Sequence, residues 1–384
     1  MRGNDPQGEG HWRAAAARSS RVFPASPPTP GRGGGTLPAR RAPVRRRRAQ
    51  SRARPRAARP GGSVRTPCRQ SGWRLDPARG PRPELFAPTV LTVLPGRDYE
   101  LVDSGEGEKL ERYGPYRIRR PENQAVWPRR LGAKDWEHVD AAFSGDVEEE
   151  GLGRWQFPGE PLGETWPLSH DGLSYLGRFT SFRHVGVFPE QAAHWSFVEE
   201  RIARRVREGG TPRLLNLFGY TGLASLLAAR AGAEVTHVDA SKKAIGWARE
   251  NQEMAGLEDK PIRWICEDAV RYVEREVKRG SRYDMILLDP PKFGRGPKGE
   301  TWQLFEDLPY LVALTRALVS ERPDCVILTA YSIRSSFYSL GALMGEAFRG
   351  LSGRIEAGEL VISEAGEEAR LLSTSLFCRW IAHD

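Results

Sequence analysis

The chain has 384 residues, 28% of them charged, and a net charge of +9, which is room for two ordinary domains or one larger domain with an appendage. No run approaches the roughly 18 apolar residues of a membrane span. The four cysteines (Cys68, Cys266, Cys325, Cys378) show neither CxxC nor Cys/His spacing, so secretion, membrane insertion and a metal centre are excluded and a reduced, cytoplasmic protein is expected.

The basicity is local. Residues 1 to 83 hold 20 Arg, no Lys and three acids (Asp5, Glu9, Asp76), a net +17, which leaves −8 for the rest. This segment is rich in Pro, Gly and Ala and has almost no periodic apolar positions, so residues 1–90 read as a disordered tail. Three accounts fit it: an RNA-tethering arm, an Arg-rich targeting peptide, or a mis-set start, with translation beginning at a non-ATG codon such as that of Val90 or Leu91.

Residues 91–185 carry short strand-like runs, "DYELVDSG", "KLERYGPYRIRRP" and "LSYLGRF", broken by Gly and Pro. This spacing predicts a small β-rich domain, with "AAFSGDVEEEGLGRW" as an exposed loop. After "HVGVFPEQ" the period turns helical, with Trp195, Val198, Ile202 and Val206 on one face. Strands and helices then alternate: "RLLNLF", "TGLASLLAARAG", "EVTHVDA", "KKAIGWARENQEMAG", "PIRWIC", "AVRYVEREVKRG", "YDMILLD", a helix over 302–319, "CVILTAYS", a helix over 335–349, and closing strands near 354–363 and 371–380. This predicts an α/β fold over 186–384, a doubly wound, mostly parallel seven-stranded sheet with helices on both faces; the closing hairpin adds an antiparallel edge.

Four strand ends carry chemistry. The first runs into "NLFGYTG", where Gly219 and Gly222 let a ligand approach the backbone at a helix N-terminus, although the spacing is not GxGxxG. The second ends at Asp239, a carboxylate placed to accept both hydroxyls of a ribose or to cap the next helix, with Ser241 as the competing cap. The third ends at Asp268, an N-cap or an acceptor for an adenine amine. The fourth ends in Asp289-Pro290-Pro291, where two prolines stop the strand.

With these motifs the chain resembles class I S-adenosylmethionine-dependent methyltransferases, and more narrowly the ribosomal RNA methyltransferases of the RlmI and RlmK type. The likeness covers about 180 to 380 and rests on "GVFPEQ", "LNLFGYTG", "VDASKKAIGWARENQ", "EDAVRYV" and "LLDPPKFGRG". It implies S-adenosyl-L-methionine as cofactor and ribosomal RNA as partner. It also implies cofactor contacts from Asn216, Phe218, Gly219, Tyr220, Thr221 and Gly222, from Asp239, Ala240 and Ser241, and from Asp268 and Ala269. Phe188, Glu190 and Gln191 match a segment that closes over the cofactor, and Asp289, Pro290, Pro291, Lys292 and Phe293 face the transferred methyl group.

An exocyclic base amine is a poor nucleophile, and acceptors on Asp289 and the Pro290 carbonyl would orient its lone pair; Phe293 is the candidate surface for a flipped base. Lys292 either meets a phosphate or lies on the surface. Members of the family that make 5-methylcytosine carry a Cys after the following strand. Here the segment is "LTAYSIR", with Ser332 at that place, and a hydroxyl without a base is not an equivalent nucleophile. The expected reaction is therefore methylation at a base nitrogen, with the β-rich region helping to bind the substrate. A protein or small-molecule methyltransferase, and a non-catalytic RNA-binding protein, are the alternatives.

Overall fold

A computed structural model of the chain describes residues 87–145, 153–331 and 333–383. The tail through residue 86, the middle of the expected loop (146–152) and Ser332 lie outside the described residues.

The first strand, β1 (Pro88–Val93), belongs to the large sheet and not to a tail or a small domain. The small sheet comes next: β2 (Tyr99–Gly105), β3 (Glu108–Tyr113), β4 (Tyr116–Pro121), a short helix α1 (Ala133–Glu137), β5 (Ala141–Gly145) and β6 (Gly153–Gln156). The expected loop "AAFSG" is thus a strand. Ala141, Ala142 and Phe143 are buried, and β5 pairs parallel with β4. A separate hairpin, β7 (Thr165–His170) and β8 (Leu173–Arg178), completes this region.

Then come a 3-10 turn (Pro189–Gln191), α2 (Ala192–Arg207), β9 (Arg213–Leu217), α3 (Leu223–Arg230), β10 (Glu234–Asp239), α4 (Lys242–Met254), β11 (Ile262–Cys266), α5 (Ala269–Arg279) and β12 (Met285–Leu288). On α2, Trp195, Val198 and Ile202 are buried as the period requires, while Val206 in the last turn is exposed. A small hairpin, β13 (Phe293–Arg295) and β14 (Thr301–Gln303), was not expected. It replaces the first residues of the helix foreseen from 302, so α6 spans Leu304–Leu318. β15 (Cys325–Tyr331), α7 (Phe337–Ala347), β16 (Gly353–Ser363) and β17 (Leu371–Ala382) close the fold.

Among the described residues the large sheet has eight strands in the order β1-β16-β17-β15-β12-β9-β10-β11, one more than expected because β1 pairs parallel with β16. The closing hairpin is not the edge. β17 inserts between β15 and β16 and is the strand of these eight that runs against the others. Alternation along each central strand divides the core. Leu215, Leu217, Ile286, Leu288, Val326 and Leu328 pack with α5, α6 and α7, whereas Leu214, Val235, Met285, Leu287 and Ile327 pack with α2 and α3. The chain leaves β9 toward β10 on one side and returns to β12 on the other, so the switch point of the sheet lies between β9 and β12.

Arg370, just before β17, fastens the two sheets together. It bonds Asp103 Oδ1 at 2.5 Å, Glu364 Oε1 at 2.8 Å and the Ser104 carbonyl at 2.6 Å.

Candidate active site

The pairing of Leu217 with Leu288 brings Phe218 and Asp289 out of the sheet at the same level, side by side at the switch point. A cavity opens there, and Phe188, Gln191, Asn216, Phe218, Gly219, Tyr220, Thr221 and Asp289 line it. The other candidates surround it. Gly222, Asp239, Ala240, Ser241, Asp268 and Ala269 sit at the turn and the neighbouring strand ends, Pro290 to Phe293 lead away from it, and Glu190 faces a separate cleft.

The turn after β9 is under backbone strain. Phe218 and Tyr220 have φ of 59° and 51°, values that non-glycine residues seldom adopt, and Gly222 has φ of 83°. Gly219 is required for space: a Cβ there would stand 2.3 Å from the His237 ring. α3 starts at Leu223 with no side-chain cap, so its first N–H groups are left for a ligand at the cavity. Thr221 does not only line the cavity: its hydroxyl donates to the Gly186 carbonyl at 2.7 Å, which ties the turn to "GVFPEQ".

Beneath the turn lies a polar group that sequence reasoning missed. Asn216 points to the α3 side of the sheet, as Leu214 does, and its amide donates to Ser225 Oγ at 2.9 Å. Ser225 Oγ is 3.0 Å from His237 Nδ1. Burial pushes the His237 imidazole down to about 3, so it is neutral.

The acids at the next two strand ends have separate duties. Asp239 accepts the Tyr220 N–H at 2.9 Å and the Ser241 N–H at 2.8 Å. Ser241, not Asp239, caps α4, through the Ala244 N–H at 3.2 Å. Burial raises the Asp239 carboxyl above its ordinary value, against the lowering pull of those two N–H groups. Asp268 caps α5 by accepting the Arg271 N–H at 3.0 Å, and Ala269 is buried as the first residue of that helix. The Ala240 carbonyl meets Cys266 Sγ at 3.7 Å.

At the fourth strand end Gln191 Nε2 donates to Asp289 Oδ2 at 3.1 Å. Burial, and secondarily the charge of Glu190, push the Asp289 carboxyl up to about 7. The Pro291 carbonyl is occupied by the Trp302 indole N–H at 2.7 Å, and the Trp302 ring lies 5.0 Å from that of Phe218. Trp302 therefore fastens the Asp-Pro-Pro loop to the turn after β9, a contact hidden in "ETWQLF", which reads as a helix start. The Lys292 carbonyl accepts the Leu304 N–H, and its side chain is exposed. Phe293 is 38% exposed and opens β13 opposite Gln303.

Phe188 belongs to an aromatic group, its ring centroid 4.6 Å from His184, 5.7 Å from Tyr220 and 6.4 Å from Tyr331. Among the described cysteines none lines the cavity: Cys325 and Cys378 are buried in strands, and Cys266 is exposed at the end of β11.

This set fits an adenosylated amino acid. An uncapped helix start, a turn with close backbone approach, and a carboxylate at the adjacent strand end with lone pairs to spare supply donors at one end and an acceptor at the other.

A family profile described as S-adenosylmethionine-dependent methyltransferase matches residues 148–327. The crystal structure of a SAM-dependent methyltransferase from Agrobacterium tumefaciens is 55% identical to the chain. The match covers 79% of this chain and 96% of that one, with a TM-score of 0.76. Ribosomal RNA large subunit methyltransferase K/L of Shewanella baltica is 36% identical over 107 residues, which is 27% of this chain and 15% of that protein. Ribosomal RNA large subunit methyltransferase I of Aeromonas salmonicida is 29% identical over 162 residues, 41% of this chain and 38% of that protein. The chain thus spans well under half the length of these two relatives.

Proposed function

Since the chain belongs to the S-adenosylmethionine-dependent methyltransferases, we propose that it transfers a methyl group to a nitrogen of a nucleobase in ribosomal RNA, in the cytoplasm where ribosomes are built. The observation that carries this reading is the state of Asp289: held by Gln191, partly accessible at the cavity, with its carboxyl near 7. Such a group both accepts a hydrogen bond from an amine and takes up the proton that the amine sheds.

The cofactor, when bound, supplies an electrophilic methyl on a sulfonium. This chain's residues do the rest. The Phe218–Gly222 turn and the start of α3 hold the methionine end, Asp239 the ribose, and Asp268 the adenine amine in addition to its cap. Asp289 and the Pro290 carbonyl accept the N–H bonds of the acceptor amine and direct its lone pair into the cavity. Gln191 fixes the Asp289 carboxylate, Trp302 fixes the loop, and Phe293 offers an exposed ring for a flipped base. Attack at C5 of cytosine needs a thiol, and "TAYSIR", which runs from the last residues of β15 onward, contains none. The names of the relatives favour ribosomal RNA over a protein or small-molecule acceptor.

Mass mapping of ribosomal RNA from a strain lacking the protein, against its parent, tests the reading. One missing N-methylated base, restored by the wild-type gene and not by Asp289→Ala, is expected. A missing C-methyl mark would overturn the nitrogen assignment, and an unchanged profile would overturn the RNA assignment.

A further inference from the structure

Beside the cavity, and sharing Val187 and Phe188 with it, lies a smaller cleft lined by Lys109, Arg120, Arg183, Glu190 and Tyr331. β3 and β4 provide Lys109 and Arg120, and β15 provides Tyr331, so both sheets build it. Its cations are not satisfied alike. Arg120 forms a two-pronged pair with Glu111, at 2.5 and 2.9 Å, and Lys109 pairs with Glu122 at 3.2 Å. Arg183 is 8% exposed, yet among the described residues no carboxylate pairs with it. Its guanidinium donates to the Tyr331 hydroxyl and stands 5.4 Å from the centre of that ring. Glu190 also lines the cleft, but the cations that act on its carboxyl are Lys109 and Arg120.

Among the described residues the Arg183 guanidinium, mostly covered from water, is met by a phenol and an aromatic face and by no anion that would balance its partial loss of hydration. Its forked donors match phosphate oxygens. The cleft has about 10 Å³ of free volume, the space of one water molecule. An oxygen of a phosphate enters such a space and an aromatic ring does not. Phe188 forms the common wall with the cavity that holds Asp289.

We propose that Arg183, oriented by Tyr331, anchors a backbone phosphate of the RNA strand that carries the acceptor base. This rests on the ribosomal RNA reading above and adds a recognition site outside the cofactor cavity. The full chain is assayed with unmodified large-subunit ribosomal RNA transcript as substrate, and S-adenosylhomocysteine binding is measured separately.

Arg183→Gln is expected to bind S-adenosylhomocysteine within about twofold of wild type and to show a KM for RNA raised about tenfold. The slope of log affinity against log salt should fall by about 0.7 to 0.9. Arg183→Lys, which keeps the charge but not the fork, should fall between them in KM with the wild-type slope. An unchanged KM and salt slope in Arg183→Gln, with cofactor binding intact, removes Arg183 from recognition and leaves the methyltransferase reading standing. If Arg183→Gln does not fold, Arg183→Lys decides: a KM raised severalfold supports the anchor and a wild-type KM overturns it. A wild-type protein that binds S-adenosylhomocysteine and methylates no RNA overturns the RNA reading, and this anchor with it.

Discussion

Gln191 joins two strands of the sheet from outside it: its Nε2 donates to Asp289 beyond β12 at 3.1 Å, while its Oε1 accepts the Thr329 hydroxyl of β15 at 3.4 Å. One oxygen of Asp289 is therefore fixed, and the carboxyl is still pushed up from 3.8 to about 7.

That shift makes activity and stability run in opposite directions with pH. Under the proposed reaction the ionised form of Asp289 accepts from the amine, so kcat/KM should rise as pH rises through about 7. The folded carboxyl is raised above its unfolded value, so the folded chain binds more protons in the window from 3.8 to about 7. Its contribution to stability is fully present below that window and is lost as pH rises through it. Asp289→Asn should be inactive, as stable as wild type near pH 4, and more stable at pH 8 by on the order of 1–2 kcal/mol, since partial solvent access weakens the full linkage value. Denaturant melts at the two pH values check this. Equal stability of the variant and wild type at pH 8 would refute the raised carboxyl.

Trp302→Phe keeps a ring against Phe218 but leaves the Pro291 carbonyl without its donor. The lost bond should cost about 1–2 kcal/mol of stability. The loop that carries Asp289 is then less well fixed, so kcat should fall about tenfold or more. S-adenosylhomocysteine affinity, read by calorimetry, should stay near wild type because no donor to the cofactor is removed. A tenfold loss there would mean that Trp302 supports the turn and not the acceptor loop.

The succession of strands and helices along the chain, and the points where the strands stop, were legible because both arise from local pattern. A parallel strand buried on two faces reads as an apolar run, and the chain must turn where that run stops. The features that escaped were set by partners distant in sequence. Pro88–Val93 joins the sheet only because Ala357–Ile362 offers an edge, and no local signal separates it from the tail. "AAFSG" is too short and too small to read as a strand until β4 lies beside it. Ser225 and His237 look like ordinary helix and strand residues, and they become a polar pair only when α3 crosses β9 and β10. Arg183 gave no sign at all, since its meaning depends on Tyr331 at a separation of 148 residues.

Arg370→Met tests how far the two sheets depend on one another. The side chains of Asp103 and Glu364 are fully buried, and Arg370 pairs with both. Removing it leaves carboxylates with too few cationic partners, which should cost about 3–5 kcal/mol. Urea unfolding should show it as a lower midpoint with an unchanged slope. A change under about 1 kcal/mol would mean that Arg130, 3.7 Å from Glu364, takes over the role.

Gly219→Ala places a methyl 2.3 Å from His237 Cε1 and 2.5 Å from Nδ1. His237 cannot retreat: it is fully buried, bonded to Ser225, and its ring centroid is 4.7 Å from that of Trp264. The turn must move instead, with a cost of about 1–3 kcal/mol and loss of S-adenosylhomocysteine binding. If that clash is the reason for glycine here, His237→Ala should relieve it. The single variant His237→Ala loses stability through its cavity, and Gly219→Ala added to it should cost about 0.5 kcal/mol or less and regain part of the cofactor affinity. A double-mutant cycle by denaturant melts and calorimetry gives the coupling. Strict additivity would show that Gly219 is needed for the ligand's approach to the backbone alone, and not for the histidine beneath it.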